Sequence, residues 1–332
     1  GLLPVSMVTI SAGLTDALSF EAFYQLEWEK TVIDGCGTYF SSADVAATGC
    51  NVVTLTNLLS DQAQMAGGLY ITRRPDIEPS DSGQFGVSLR YFAEGLAGTE
   101  FGLYYINYHS RIPYLGGYSS ANPAVPQEVI DAALPPELAA LLGYPLPPFI
   151  PRQPAPGVPL PPGIDLGAAL GGGNPQYFAE FPEDIELYGL SFASNLAGFA
   201  ISGEVSYRPD FPVQINTTEI LQGAVGYAPW STVLPRILAA GFGNPASGYD
   251  LLPVTQAQVT FIKFFDQVLG ASRLSLAAEV GANWVGDLPQ IVILPNGQEV
   301  AQRYGRSPIF GVGQFEYELP IPGEVITCAE GY

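Results

Sequence analysis

The sequence predicts an all-β protein, an antiparallel transmembrane β-barrel of the outer-membrane type with short periplasmic turns and long extracellular loops carrying short helices. Three observations predict it. Stretches of apolar/polar alternation recur in pairs, so each strand would carry one oily and one polar face. Each pair closes through a tight turn while successive pairs are separated by long loops, a one-sidedness that outer-membrane barrels have. Finally, hydrophobic residues make up 47% and charged residues 13% of the chain, with a mean hydropathy of +0.21, which is oily for a formal net charge of -20. A soluble sandwich explains the alternation but neither the loop lengths nor the long return strands.

The first hairpin runs from Val5 to Ala12, turns through Gly13 to Asp16 and returns over Leu18 to Lys30. In the return arm Leu18, Phe20, Ala22, Tyr24, Leu26 and Trp28 share one face, and Ser19, Glu21, Phe23, Gln25, Glu27 and Glu29 the other. A helix would scatter the glutamates around its axis and leave no apolar stripe. The second hairpin pairs Gln84–Glu94 with Glu100–His109 across Gly95–Thr99, and the third pairs Asp184–Ser194 with Phe199–Arg208 across Asn195–Gly198. The fourth pairs Ala257–Phe265 with Arg273–Val285, and Gly311–Leu319 reads as the start of one more strand. Between them lie long loops at 31–83, 110–183 and 209–256, with helical candidates at Leu55–Met65, Pro126–Leu142 and Thr217–Ala224. The whole chain is read as one barrel domain. Trp28, Tyr207 and Trp284 fall at the long-loop ends of their strands, where an aromatic membrane girdle is expected.

Asp and Glu number 32 against 12 Lys and Arg, which makes nucleic acid a poor partner. No run of about 20 apolar residues offers a transmembrane helix. The chain opens GLLPVSMVTI, without an initiator Met, and reads as a mature, processed or truncated piece. Cys36 and Cys50 flank a short polar stretch and suit a local disulfide of an oxidising compartment, which leaves Cys328 odd.

No catalytic motif emerges, and the protein is not expected to be an enzyme. The single histidine, His109, has no G-x-S-x-G nucleophile elbow to serve and is expected to be a girdle or loop residue. One histidine and this cysteine spacing exclude a zinc site, and no twelve-residue calcium loop accompanies Asp34, Asp44, Asp76 and Asp81, so neither metal nor cofactor is expected. Asn216-Thr217-Thr218 matches a glycosylation acceptor, a match read as incidental. Glu21, Glu27, Glu29, Arg90, Glu94, Glu204, Arg273 and Glu279 sit on the polar faces and are the candidate lumen lining, whose blander role is generic polarity with opposite charges paired across strands. In the Pro- and Leu-rich loop, Leu138, Leu141, Leu142, Tyr144, Phe149 and Ile150 form an apolar stretch that would serve either as a greasy lid over the barrel mouth or as packing between loops.

The stretches SFEAFYQLEWEKTVIDGCGTYFSSAD, GQFGVSLRYFAEGLAGTEFGLYYINYHSRIPYL and GFAISGEVSYRPDFPVQINTTEIL resemble domain-of-unknown-function family thirteen hundred and two, large outer-membrane proteins of Gram-negative bacteria. The resemblance covers Ser19 to Leu221 and implies that this chain is an internal piece of a longer barrel in the bacterial outer membrane. It also implies a role in moving hydrophobic or lipid-like molecules, beside a periplasmic lipoprotein-like partner and an RND-type exporter. The alternatives carried forward are a general porin for small polar solutes and a surface-exposed structural or adhesive protein.

Overall fold

A computed structural model describes residues 3–39, 41, 44–54, 60–62, 65, 70–118, 176–225, 231–241, 243–268, 270–294, 297–305, 316–318 and 325–327. In chain order the strands are β1 (Met7–Gly13), β2 (Leu18–Gln25), β3 (Val52–Thr54), β4 (Tyr70–Arg73), β5 (Phe85–Ala93) and β6 (Thr99–Tyr108), then β7 (Tyr114–Tyr118), β8 (Gln176–Glu180), β9 (Ile185–Leu196) and β10 (Phe199–Gln214). Two helices follow, α1 (Thr217–Val225) and α2 (Leu234–Ala240), before β11 (Pro245–Ala246), β12 (Tyr249–Val268) and β13 (Ala271–Val285). Two small hairpins come last, β14 (Ile291–Ile293) with β15 (Glu299–Ala301), and β16 (Glu316–Glu318) with β17 (Val325–Thr327).

The four expected hairpins form one eight-stranded sheet in the order β1-β2-β5-β6-β9-β10-β12-β13, antiparallel throughout. Two of its tight turns use the same Leu-Ala-Gly sequence. Ala97 and Gly98, and again Ala197 and Gly198, take positive φ of 56°, 66°, 51° and 78°. Two successive positive values give the turn whose twist matches that of the flanking strands, and the glycine makes the second of them inexpensive.

Register decides what the alternation means, because a slip of one residue sends every side chain to the other face. Here the oily faces of all eight strands coincide. One row runs Phe20, Leu89, Leu103, Leu190, Val205, Ala257, Ala282, and the next toward the long loops runs Ile10, Ala22, Val87, Tyr105, Tyr188, Tyr207, Thr255, Trp284. On the opposite face one row runs Ser19, Arg90, Gly102, Ser191, Glu204, Gln258, Gly281.

A second, five-stranded sheet ordered β11-β7-β8-β4-β3 lies at the long-loop end, with β4 and β8 parallel. Together with α1 and α2 it holds the principal hydrophobic core, whose larger members include Ile71, Leu115, Tyr177, Ile215, Ile220, Leu221 and Ile237. The described parts of the segments expected as loops thus build a folded cap, and the helix expected at Thr217–Ala224 is α1. Asn216 is fully buried and its Oδ1 accepts from the N–H groups of Thr218 and Glu219 at 3.0 and 3.4 Å, so the acceptor-like triplet is a helix N-cap. β10 and β12 are longer than expected because both cross from the large sheet into the cap. Their register shifts between Arg208 and Phe211, a bulge that redirects the pair at that boundary.

The return arm expected to reach Lys30 ends at Gln25, because the chain then turns into the cap. The Trp28 N–H donates to Asp81 Oδ1 at 2.9 Å, and Lys30 Nζ reaches Asp76 and Glu78 at 3.0 and 2.6 Å. Cys36 and Cys50 are disulfide-bonded, with a Cα–Cα separation of 5.4 Å. Of the expected extra strand at Gly311–Leu319, the described portion is β16. The helix candidate at Pro126–Leu142 and Cys328 lie outside the described residues, as does most of that at Leu55–Met65.

Candidate functional site

The polar face of the large sheet curves around a trough of about 620 Å³ whose side chains come from β6, β9, β10, β12 and β13. Tyr104, Ser191, Glu204, Arg208, Gln256, Gln258 and Asn283 line it. A second recess on the same face lies among β1, β2, β5 and β6, around Glu21, Ser88 and Arg90. Two glycines on this face make room for aromatic rings. A Cβ on Gly102 would fall 2.3 Å from the Tyr104 hydroxyl, and one on Gly86 would fall 2.4 Å from the Phe23 ring. Both rings therefore lie flat along the sheet, as aromatics do when they cover a neighbouring glycine.

The expected lumen residues separate into those on this face and those beyond it. Glu21 and Arg90 meet across β2 and β5 at 3.1 Å. Glu204 lines the trough, and Glu279 accepts from the Thr260 hydroxyl at 2.9 Å. Arg273 pairs with Asp266 at 2.9 Å close to the β12–β13 turn. Three expectations are corrected. Glu27 and Glu29 lie past the end of β2, where Glu27 accepts from the Ser6 N–H at 2.5 Å, and Glu94 lies in the tight turn after β5. Sequence reasoning missed Arg208, Gln256 and Asn283 as a group. Arg208 Nη1 donates to Gln256 Oε1 at 2.6 Å and Gln256 Nε2 donates to Asn283 Oδ1 at 2.9 Å. Only the register shows that these three lie in consecutive strands.

Of the three residues expected in a girdle, two lie on the oily face. Tyr207 and Trp284 stand exposed in the aromatic row of the oily face, beside Tyr105 and Tyr188, whose rings lie 5.1 Å apart. Trp28 is the correction. It is only 8% exposed, its indole N–H donates to the Ser110 carbonyl at 3.1 Å, and its ring meets Phe181 edge-on at 4.9 Å. Trp28 therefore pins the cap to the sheet. His109 does similar work. The Asp184 N–H donates to its Nδ1 at 3.0 Å, so Nε2 carries the proton and donates to the Ser82 carbonyl at 2.8 Å.

Inside the cap the buried charges are satisfied. Glu219 accepts from Arg303 and from the Thr232 N–H, both at 2.7 Å, and Arg236 pairs with Asp250. Burial pushes the Glu180 carboxyl up, against bonds from Ser247 Oγ at 2.8 Å and the Gly248 N–H at 3.1 Å. Burial likewise pushes the Tyr177 phenol up to about 12. Asp44 stands beside the two cysteines, but sulfurs joined in a disulfide are not thiolate ligands. Leu138, Leu141, Leu142, Tyr144, Phe149 and Ile150, the expected lid, lie outside the described residues.

These features define a mostly antiparallel β-sheet protein with few helices, one face apolar and exposed, the other polar and hollowed. Residues 1–320 match the family described as "Protein of unknown function (DUF1302)", and the chain belongs to that family. No curated protein and no solved structure gives a significant match.

Proposed function

We propose that the chain forms the wall of an outer-membrane β-barrel that passes small polar or amphipathic solutes. One observation carries this reading: eight strands in register place their oily residues on a single uncovered face. Leu190, at 54% exposure, and Val280, at 71%, have no apolar partner layer among the described residues, although large exposed apolar patches are uncommon on soluble monomers. Lipid supplies that layer. From Phe199 to Tyr207 the band runs about 27 Å along the strand, and about 20 Å along the membrane normal at a strand tilt of ~40°, close to the apolar height of such barrels. In lipid the edges of β1 and β13, unpaired among the described residues, must close against each other or against further strands.

Of the transport expectations, the polar passage has the stronger support, because the trough presents amides, hydroxyls and charges. Hydrophobic cargo, a lipoprotein-like partner and an RND-type exporter rest on the family resemblance and on the apolar loop at 138–150. Reconstitution of the full chain into planar bilayers tests the reading. Stepwise conductance together with heat-modifiable migration on gels is expected; a detergent-free soluble monomer without conductance refutes it.

A further inference from the structure

We infer that Arg208 is an anion-recognition residue at the long-loop mouth of the trough, shaped for the carboxylate of a small organic acid. The inference rests on the barrel reading only for the direction in which the mouth faces.

The argument begins with pairing. Asp and Glu outnumber Lys and Arg by 32 to 12, so carboxylates are plentiful. The other two arginines described on the polar face take one each: Arg90 meets Glu21 at 3.1 Å and Arg273 meets Asp266 at 2.9 Å. Arg208 takes none among the described residues. Its Nη1 donates to the neutral Gln256 amide, its guanidinium lies 5.4 Å from the Phe211 ring centre, and its Nε is buried without a hydrogen-bond partner. A buried donor left unmade is costly, and the guanidinium fork, turned outward into the trough that Arg208 lines, satisfies a carboxylate through two parallel N–H bonds.

Among the described residues no carboxylate lies within ion-pair distance of the Arg208 guanidinium: Glu204 is four residues away, about 13 Å along the strand, and Asp210, two residues away, stands exposed in the bulge. The neighbouring amides are oriented consistently. Gln256 spends its oxygen on Arg208 and its nitrogen on Asn283 Oδ1, so the Asn283 amide nitrogen remains a donor on the same side of the trough. Ile106 and Leu187, also lining the trough, offer apolar surface for a hydrocarbon body. An anionic head beside apolar wall describes an amphipathic carboxylate.

Equilibrium dialysis of benzoate against the full chain in nonionic detergent tests this, with benzamide as the uncharged isostere and inorganic phosphate as the competing anion. Benzoate is expected to bind at least ten-fold more tightly than benzamide. Arg208→Gln is expected to abolish that preference and Arg208→Lys to restore part of it, with heat-modifiable migration retained in both. Equal binding of benzoate and benzamide, or an unchanged preference in Arg208→Gln, overturns the assignment. Preference for phosphate overturns the ligand class. Because dialysis needs no flux, failure of the passage reading is detected separately, as absent conductance.

Discussion

Leu190→Arg puts a number on what the oily face touches. Leu190 is six residues from the end of β9 at Leu196, about 20 Å along the strand; in the proposed barrel, at ~40° tilt, that is about 15 Å along the membrane normal and near the bilayer midplane. If lipid covers this face, an arginine there costs about 2–4 kcal/mol, or roughly 30- to 700-fold in the folding equilibrium. If water covers it, a surface substitution changes stability by only about 0.5 kcal/mol in either direction. The assay is denaturant titration of vesicle-inserted protein, followed by tryptophan fluorescence. Ala193→Arg is the control, because Ala193 lies on the polar face of the same strand opposite Glu100 and Ser202. Equal, small effects of the two substitutions would refute the assignment of faces.

Four further outcomes follow from particular contacts. Gly248→Ala places a Cβ 1.7 Å from the Leu115 carbonyl oxygen, a backbone atom, so β7 and β12 must separate and amide exchange over 114–118 accelerates at least ten-fold. Trp28→Ala removes the pin between sheet and cap at a cost of about 3–5 kcal/mol, read as protease nicking between residues 26 and 83 while the sheet stays intact. Replacing Cys36 and Cys50 by serine releases a closed loop with a sequence separation of 14 and loosens the cap locally by about 3 kcal/mol, measured by exchange over 44–54. Glu180 concerns pH. Its folded carboxyl lies above the ordinary 4.5, so its stabilising contribution is complete below that value and is lost as pH rises through the folded one. Glu180→Gln should flatten exchange over 245–249 across that window; an unaltered pH profile would contradict it.

Much of the large sheet was legible in the sequence because period-two alternation and paired turns are local signals. The apolar set read from β13, Leu274, Leu276, Ala278, Val280, Ala282 and Trp284, shares one face with its neighbours. Trp28 misled because alternation persists past Gln25 after the backbone has left the sheet; only its contacts with Ser110 and Phe181, 82 and more residues away, show the change of partner. The cap was missed for a similar reason. β3, β4, β7, β8 and β11 are two to five residues long and pair across masses of intervening chain, with one parallel contact, so no window of sequence contains the pattern. The Arg208 group was hidden because its members become neighbours only through the registers of β10, β12 and β13.

The most direct test of the account is a spin-label accessibility scan along β13 in lipid vesicles, from Arg273 to Val285. Labels at Leu274, Leu276, Ala278, Val280 and Ala282 should be relaxed by oxygen dissolved in the bilayer, and those at Ser275, Ala277, Glu279, Gly281 and Asn283 by a water-soluble nickel chelate, with a period of two residues. Uniform access to the nickel chelate along both sets would contradict the claim that lipid covers the oily face.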